Sequence, residues 1–305
     1  HDSPVDAVVA FAGPNGQPLL ATGSSDGVVR VWDPLADVQV GEPLRHTSPV
    51  SAVVAFTGAD GQPLLAIGSS DGVVRVWDPL AGVQVGEPLR HTSPVSAVVA
   101  FTGPDGRPLL VTGSFDGVVR VWDPLAGIQI GEPLRGHDSP MDAVVAFADP
   151  DGQPLLAIGG FDGAVRVWDP VADAQVGESL GRGGPVTAVV AFTGPGDRPL
   201  LAIGSSDGTV RVWDPLAGAQ VGEPLRGHDS PMDAVVAFTG PGDRPLLAIG
   251  SSDGTVRVWD PLAGAQVGEP LRGHDSSVRA ASFSRCVGFD QVMRRVARGR
   301  LGSRA

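Results

Sequence analysis

Six histidines, at positions 1, 46, 91, 137, 228 and 274, are the side chains of this 305-residue chain best suited to hold a metal or move a proton. They recur every 45 or 46 residues, with one vacancy that doubles the interval between His137 and His228. A metal site needs several ligands converging at about 2 Å. Histidines one repeat apart are held far from each other, so the reading is structural and no metal is expected. Six arginines (30, 75, 120, 166, 211 and 257) keep the same spacing, each three residues before an aspartate. A ring of guanidinium groups suits a polyanion, but pairing with that aspartate across neighbouring units is the expectation. Asp149-Pro150-Asp151-Gly152 lacks the further spaced acids and distal glutamate of a calcium loop, and reads as a turn. Cys286 has no histidine at an informative spacing. No Ser-His-Asp order, phosphate-cradling glycine loop or acid/base carboxylate pair stands out, so neither catalytic residues nor a cofactor are expected.

The elements that carry these residues repeat with them. Ser205 to Asp214 (SSDGTVRVWD) has counterparts ending at Trp32, Trp77, Trp122, Trp168, Trp213 and Trp259, which are all the tryptophans in the chain. A fixed period of this length marks a repeat architecture. In the first unit, Pro4 to Phe11 alternates and is rich in β-branched residues, as a strand requires. A Gly/Pro loop follows over 13–18, then a strand over Leu19 to Ser24. Asp26-Gly27 reads as a tight hairpin with both residues at positive φ. Val28 to Trp32 and the more polar Val38 to Leu44 complete four strands. The second and third are apolar on both faces, so each sheet must be covered on both sides, which radial stacking achieves. The units run over about 1–45, 46–90, 91–136, 137–181, 182–227 and 228–273. Ala188 to Ser230 reappears unchanged as Ala234 to Ser276, the mark of a tandem duplication.

A seventh unit begins at His274 to Phe283 and then loses the pattern, with no further hairpin or tryptophan. Residues 279–305 carry seven arginines and one acid, a net +6, against −18 for the preceding body. This tail is expected as a partial strand followed by a short helix or disorder. An acidic body repels phosphate backbones, so the repeats are not expected to bind nucleic acid. No apolar run approaches the roughly 18 residues of a membrane span. One cysteine and no signal-like segment suit a reducing, cytoplasmic compartment. The chain opens on His1, which suggests a piece of a longer protein.

With the Asp-Gly hairpin, the Gly-His or His start and the Trp-Asp end in six copies, the chain resembles the WD40 β-propeller family over about nine-tenths of its length. It is especially similar to arrays of high-GC bacteria. The resemblance implies an all-β propeller of six complete four-stranded blades plus a rudimentary seventh, as a six-blade ring or an open seven-blade ring. It implies that propellers of this kind sit behind an N-terminal effector domain. It also implies a buried network of histidine, hairpin aspartate, strand-two hydroxyl and tryptophan: His1, Asp26, Thr22 and Trp32 in the first unit, and His91, Asp116, Thr112 and Trp122 in the third. Ile67, Ile158, Ile203 and Ile249 replace the hydroxyl elsewhere. The fifth unit has Arg182 or Gly183 for histidine, leaving Asp207 without its usual partner, so a looser fifth blade is expected. The Asp-box of sialidase-like propellers does not fit, since Gly208 and Trp213 fall at the wrong distances from Asp207.

Function is expected where the symmetry fails. The residue before the hairpin aspartate is Ser25, Ser70, Ser206 and Ser252 in four units but Phe115 and Phe161 in the third and fourth. The resemblance places that position on the face where partners dock, so Phe115, Phe161, Met141 and Arg182 are the expected contacts of a protein partner. The expected role is a non-catalytic scaffold or sensor. The alternatives are a propeller that binds or hydrolyses a small molecule or glycan, and a truncated array without present function.

Overall fold

The structure is a computed structural model that describes residues 1–272 apart from Pro104, Asp138, Arg182 and Asp229. The expected seventh strand, the basic tail, Cys286 and Arg182 lie outside the described residues.

Blade one contains strands Val5–Ala12, Pro18–Ser24, Val28–Asp33 and Val38–Arg45, paired antiparallel in chain order. Blades two to four repeat this arrangement. In blades five and six the fourth strand is two short pieces, such as Ala219–Gln220 and Leu225–Arg226. The six sheets form a β-propeller in which the first strand of each blade packs on the first strand of the next. Among the described residues no helix is long and apolar enough to cross a membrane.

The two-faced apolar pattern of the second strand finds its reason here. Pro63–Ser69 of blade two is buried along its whole length. Blade one contributes Val9, Leu19, Ala21, Val29 and Leu44 to a core shared with Val50, Val53, Leu65 and Ile67 of blade two. Removing such surface from water stabilises by about 25 cal/mol per Å². Gly23 lets the two sheets approach closely: a Cβ there would lie 2.6 Å from Val50 Cγ1. Gly68 faces Val95 of blade three in the same way, at 2.7 Å.

The hairpin differs from the expectation. Gly27 has φ 76°, while Asp26 keeps a negative φ. Gly27 N–H donates to Ser24 O at 3.0 Å, closing a three-residue loop in which only the glycine is left-handed. The Asp26 carboxylate accepts from Val28 N–H at 2.9 Å, which leaves aspartate no reason to adopt positive φ.

Candidate functional site

The hairpin aspartate, the histidine before the first strand and the second-strand hydroxyl meet in blades one and three. In blade three, Trp122 Nε1–H donates to Thr112 Oγ1 at 2.8 Å, and His91 Nε2 lies 2.6 Å from the same oxygen. In blade one the corresponding distances to Thr22 are 2.9 Å from Trp32 and 2.8 Å from His1. Arg120 Nη1 lies 2.5 Å from His91 Nδ1, and Arg30 Nη1 lies 2.6 Å from His1 Nδ1. A guanidinium can only donate, so each Nδ1 accepts and the proton sits on Nε2, directed at the threonine. The His91 ring is therefore neutral. Burial holds His91 at about 4, the Arg120 charge acts in the same direction, and Asp116 opposes both.

This assigns the arginines a role that differs from the expected one. Arg30, Arg75, Arg120, Arg166 and Arg211 pair with the hairpin aspartates of their own blades at 3.3, 3.3, 3.2, 2.7 and 3.0 Å. They do not pair with the aspartate three residues on. That residue caps a turn instead: Asp33 Oδ1 accepts from Leu35 and Ala36 N–H at 2.9 and 3.0 Å. In strand geometry a residue three positions ahead points to the opposite face, whereas the hairpin folds Asp26 back beside Arg30. Burial alone would raise the Asp116 carboxyl. Hydrogen bonds from Thr92, Arg120 and Val118 N–H, with the Arg120 charge, outweigh it and hold the group below its usual value.

Where isoleucine replaces threonine, the network opens. Trp77 Nε1 and His46 Nε2 in blade two, and Trp213 Nε1 in blade five, are buried without a hydrogen-bond partner. His137 of blade four finds another acceptor, its Nε2 donating to Ile158 O at 3.1 Å. Asp207 of blade five, which lacks a histidine, is bonded by Thr209 Oγ1 at 2.6 Å and Arg211 Nη2 at 3.0 Å. Among the described residues no three His, Cys, Asp or Glu side chains gather as a metal site would need.

The surface candidates separate. Phe115 and Phe161 are 47% and 46% exposed. Their backbones match the serine blades: Phe115 N–H donates to Pro94 O at 3.0 Å and Phe161 N–H to Pro140 O at 3.1 Å, as Ser25 N–H does to Pro4 O at 3.0 Å. Only the side chain departs from the repeat. Met141, by contrast, is 1% exposed. It packs among Val119, Val121, Leu134 and Leu156 between blades three and four, because the start of each first strand is the plug against the preceding blade. It is not a surface contact, and Met232 fills the same place in blade six.

A cleft of about 330 Å³ lies beside Phe115, lined also by Arg135, His137, Ser139 and Pro140. A second, of about 680 Å³, adjoins the Phe161 hairpin and is lined by Asp162, Glu178, Ser179 and neighbouring glycines. The exposed Pro140 joins the two phenylalanine positions, since it lines the first cleft and its carbonyl receives Phe161 N–H. The repeat hides Pro140, because every unit has a proline there. Its place between two phenylalanine hairpins is the signal.

A family model described as WD domain, G-beta repeat, matches residues 1–33, 39–78, 82–123, 128–169, 178–214 and 219–260. No curated protein matches the chain.

Proposed function

Because the chain belongs to the WD40 repeat family, a fold that commonly scaffolds protein interactions, we propose that it is a non-catalytic docking module that binds a protein partner across blades three and four. The observation that carries this reading is the pair Phe115 and Phe161, half-exposed on adjacent blades where four other blades present serine. Large apolar side chains on a rigid backbone lose little conformational freedom on binding, and aromatic anchors tend to dominate interface energetics. Pro140 extends the apolar strip, with Arg135 lining the cleft beside Phe115 and Glu178 the cleft beside the Phe161 hairpin, where Asp162 is already paired with Arg166. The fitting partner segment presents apolar side chains. Docking at this surface needs no backbone rearrangement, since both hairpins already keep the repeat's hydrogen bonds.

The test is affinity capture from a host lysate with the wild-type chain and a Phe115→Asp, Phe161→Asp double variant. A protein retained by the first and lost by the second supports the reading. Retention by both removes the docking site from blades three and four.

A further inference from the structure

The loop between the first two strands of blade one carries Pro14-Asn15-Gly16, and Asn15 is the only asparagine in the chain. Its counterparts in blades two to four are Asp60, Asp105 and Asp151, each followed by glycine as Asn15 is. The turn itself is built alike in the four blades. Gly16 N–H donates to Gly13 O at 2.9 Å, as Gly61 does to Gly58 O at 3.0 Å, Gly106 to Gly103 O at 2.9 Å and Gly152 to Asp149 O at 3.0 Å. The side chains differ. Asp60 Oδ1 accepts from Gln62 N–H and Asp105 Oδ1 from Arg107 N–H, both at 3.1 Å, the local bond that short polar side chains make in turns. Asn15 forms no such bond. Its backbone N–H donates to Gln17 Oε1 at 3.0 Å, and its side-chain amide is bonded to no described residue. Asn15 and Gly16 are both exposed, and nothing lies within 4 Å of the place that a Cβ on Gly16 would take.

We propose that Asn15 is a site of self-modification, where the chain loses a side-chain amide and gains the aspartate that blades two to four already carry. The substrate is the chain itself and the co-reactant is water. The Gly16 backbone nitrogen gives up its proton to solvent base and attacks Asn15 Cγ. The new N–Cγ bond closes a five-membered imide, and the Cγ–Nδ2 bond breaks to release ammonia. Water then adds to one of the two imide carbonyls, so no oxidant or reductant is needed. Opening at Cγ restores the main chain and leaves aspartate. Opening at the main-chain carbonyl of residue 15 leaves the chain running through Cγ, as isoaspartate. Glycine suits the attacking role because no β-carbon shields its nitrogen. The restraint is the bond from Gly16 N–H to Gly13 O, which must open first, and bonds at exposed loop tips open at little cost. The fold accepts the aspartate product, since Asp60 and Asp105 hold the same turn and add a bond to it. Isoaspartate lengthens the main chain inside that turn and works against its hydrogen bonds. The change adds one negative charge to blade one and does not rest on docking at blades three and four.

The test incubates the folded, full-length chain in mildly alkaline buffer and follows ammonia release, isoelectric point and peptide maps over time. The expected result is one equivalent of ammonia per chain from position 15, a shift of one negative charge, and both aspartate and isoaspartate at that position. The rate should rise with pH, because the attacking nitrogen must lose its proton. Asn15→Gln keeps an amide but needs a larger ring to react, and its ammonia release should fall to background. Asn15→Asp should melt at the wild-type midpoint, since three blades carry aspartate there; a lower midpoint would show that blade one does not accept the product and overturn that part of the proposal. An amide that stays intact in the folded chain while the urea-unfolded chain loses it overturns the proposal, because the turn then protects Asn15. Conversion to aspartate with no isoaspartate overturns the ring-closing route.

Discussion

Blades two and three, residues 46–90 and 91–135, differ at seven positions, and two of the seven separate a closed polar network from an open one and a bare surface from an apolar one. Thr112 in blade three gathers the Trp122 indole and the His91 ring on one hydroxyl. Ile67 in blade two leaves the equivalent nitrogens of Trp77 and His46 buried and unpaired. The ring pairs nonetheless stay close, with centroids 6.0 Å apart in blade two and 6.2 Å in blade three. Blade packing therefore places these side chains, and the hydroxyl only satisfies them. A buried donor without a partner costs about 1–3 kcal/mol, which the apolar seams on both sides absorb. The other change, Ser70 to Phe115, leaves an aromatic side chain 47% exposed beside the cleft that His137 also lines.

Acid is the strongest way to break the comparison, because it acts on both blades. His46 and His91 are each held at about 4 against an ordinary 6.5, first by burial and then by the neighbouring arginine. Between these values the unfolded chain binds more protons than the folded one. Stability is thus full above pH 6.5 and falls as pH drops towards 4, by about 1.4 kcal/mol per unit for each ring at most. The hairpin aspartates, held low, add a further loss beneath their ordinary value of 3.8. Thermal unfolding at pH 7 and pH 4.5 should show a clear drop in Tm, and equal midpoints would contradict neutral buried rings.

Thr112→Ile would make blade three resemble blade two. It leaves two buried donors unpaired while adding apolar burial, and the expected net loss is about 1–2 kcal/mol, read as a lower denaturant midpoint at unchanged slope. A midpoint within error of the wild type would mean that the network adds nothing. The reverse change, Ile67→Thr, sharpens the comparison with the smallest effect. New hydrogen bonds offset the lost apolar burial, so stability should stay within about 1 kcal/mol of the wild type. The Trp77 indole N–H should then exchange with solvent more slowly. Unchanged exchange would show that the hydroxyl does not reach it.

Much of this architecture is legible in the residues. The strands fall within a residue or so of where alternation and turn chemistry place them, because period two and Asp-Gly are local signals. The networks of blades one and three lie where the family resemblance, applied to the units that keep threonine, implies them. Arg120 was harder to place: its spacing points to Asp123, but the hairpin brings Asp116 beside it, and donor counting then puts the guanidinium on His91. Met141 stands out in sequence as an asymmetry, yet at the start of a first strand that packs against the preceding blade it is buried.

The amino-acid sequence by itself determined the repeat, the strand order within each blade and the two phenylalanine positions that break the repeat, since each depends on near neighbours in the chain. Which blade faces are covered was decided only in three dimensions. Leu225 and Leu271 lie at matching places in two identical 43-residue stretches, Ala188 to Ser230 and Ala234 to Ser276, yet one is 3% and the other 54% exposed. The stretches are the same, but the blade that follows the first has no counterpart among the described residues after the second. Burial is a property of what packs against a residue, and identical residues acquire different environments when only one has a neighbour.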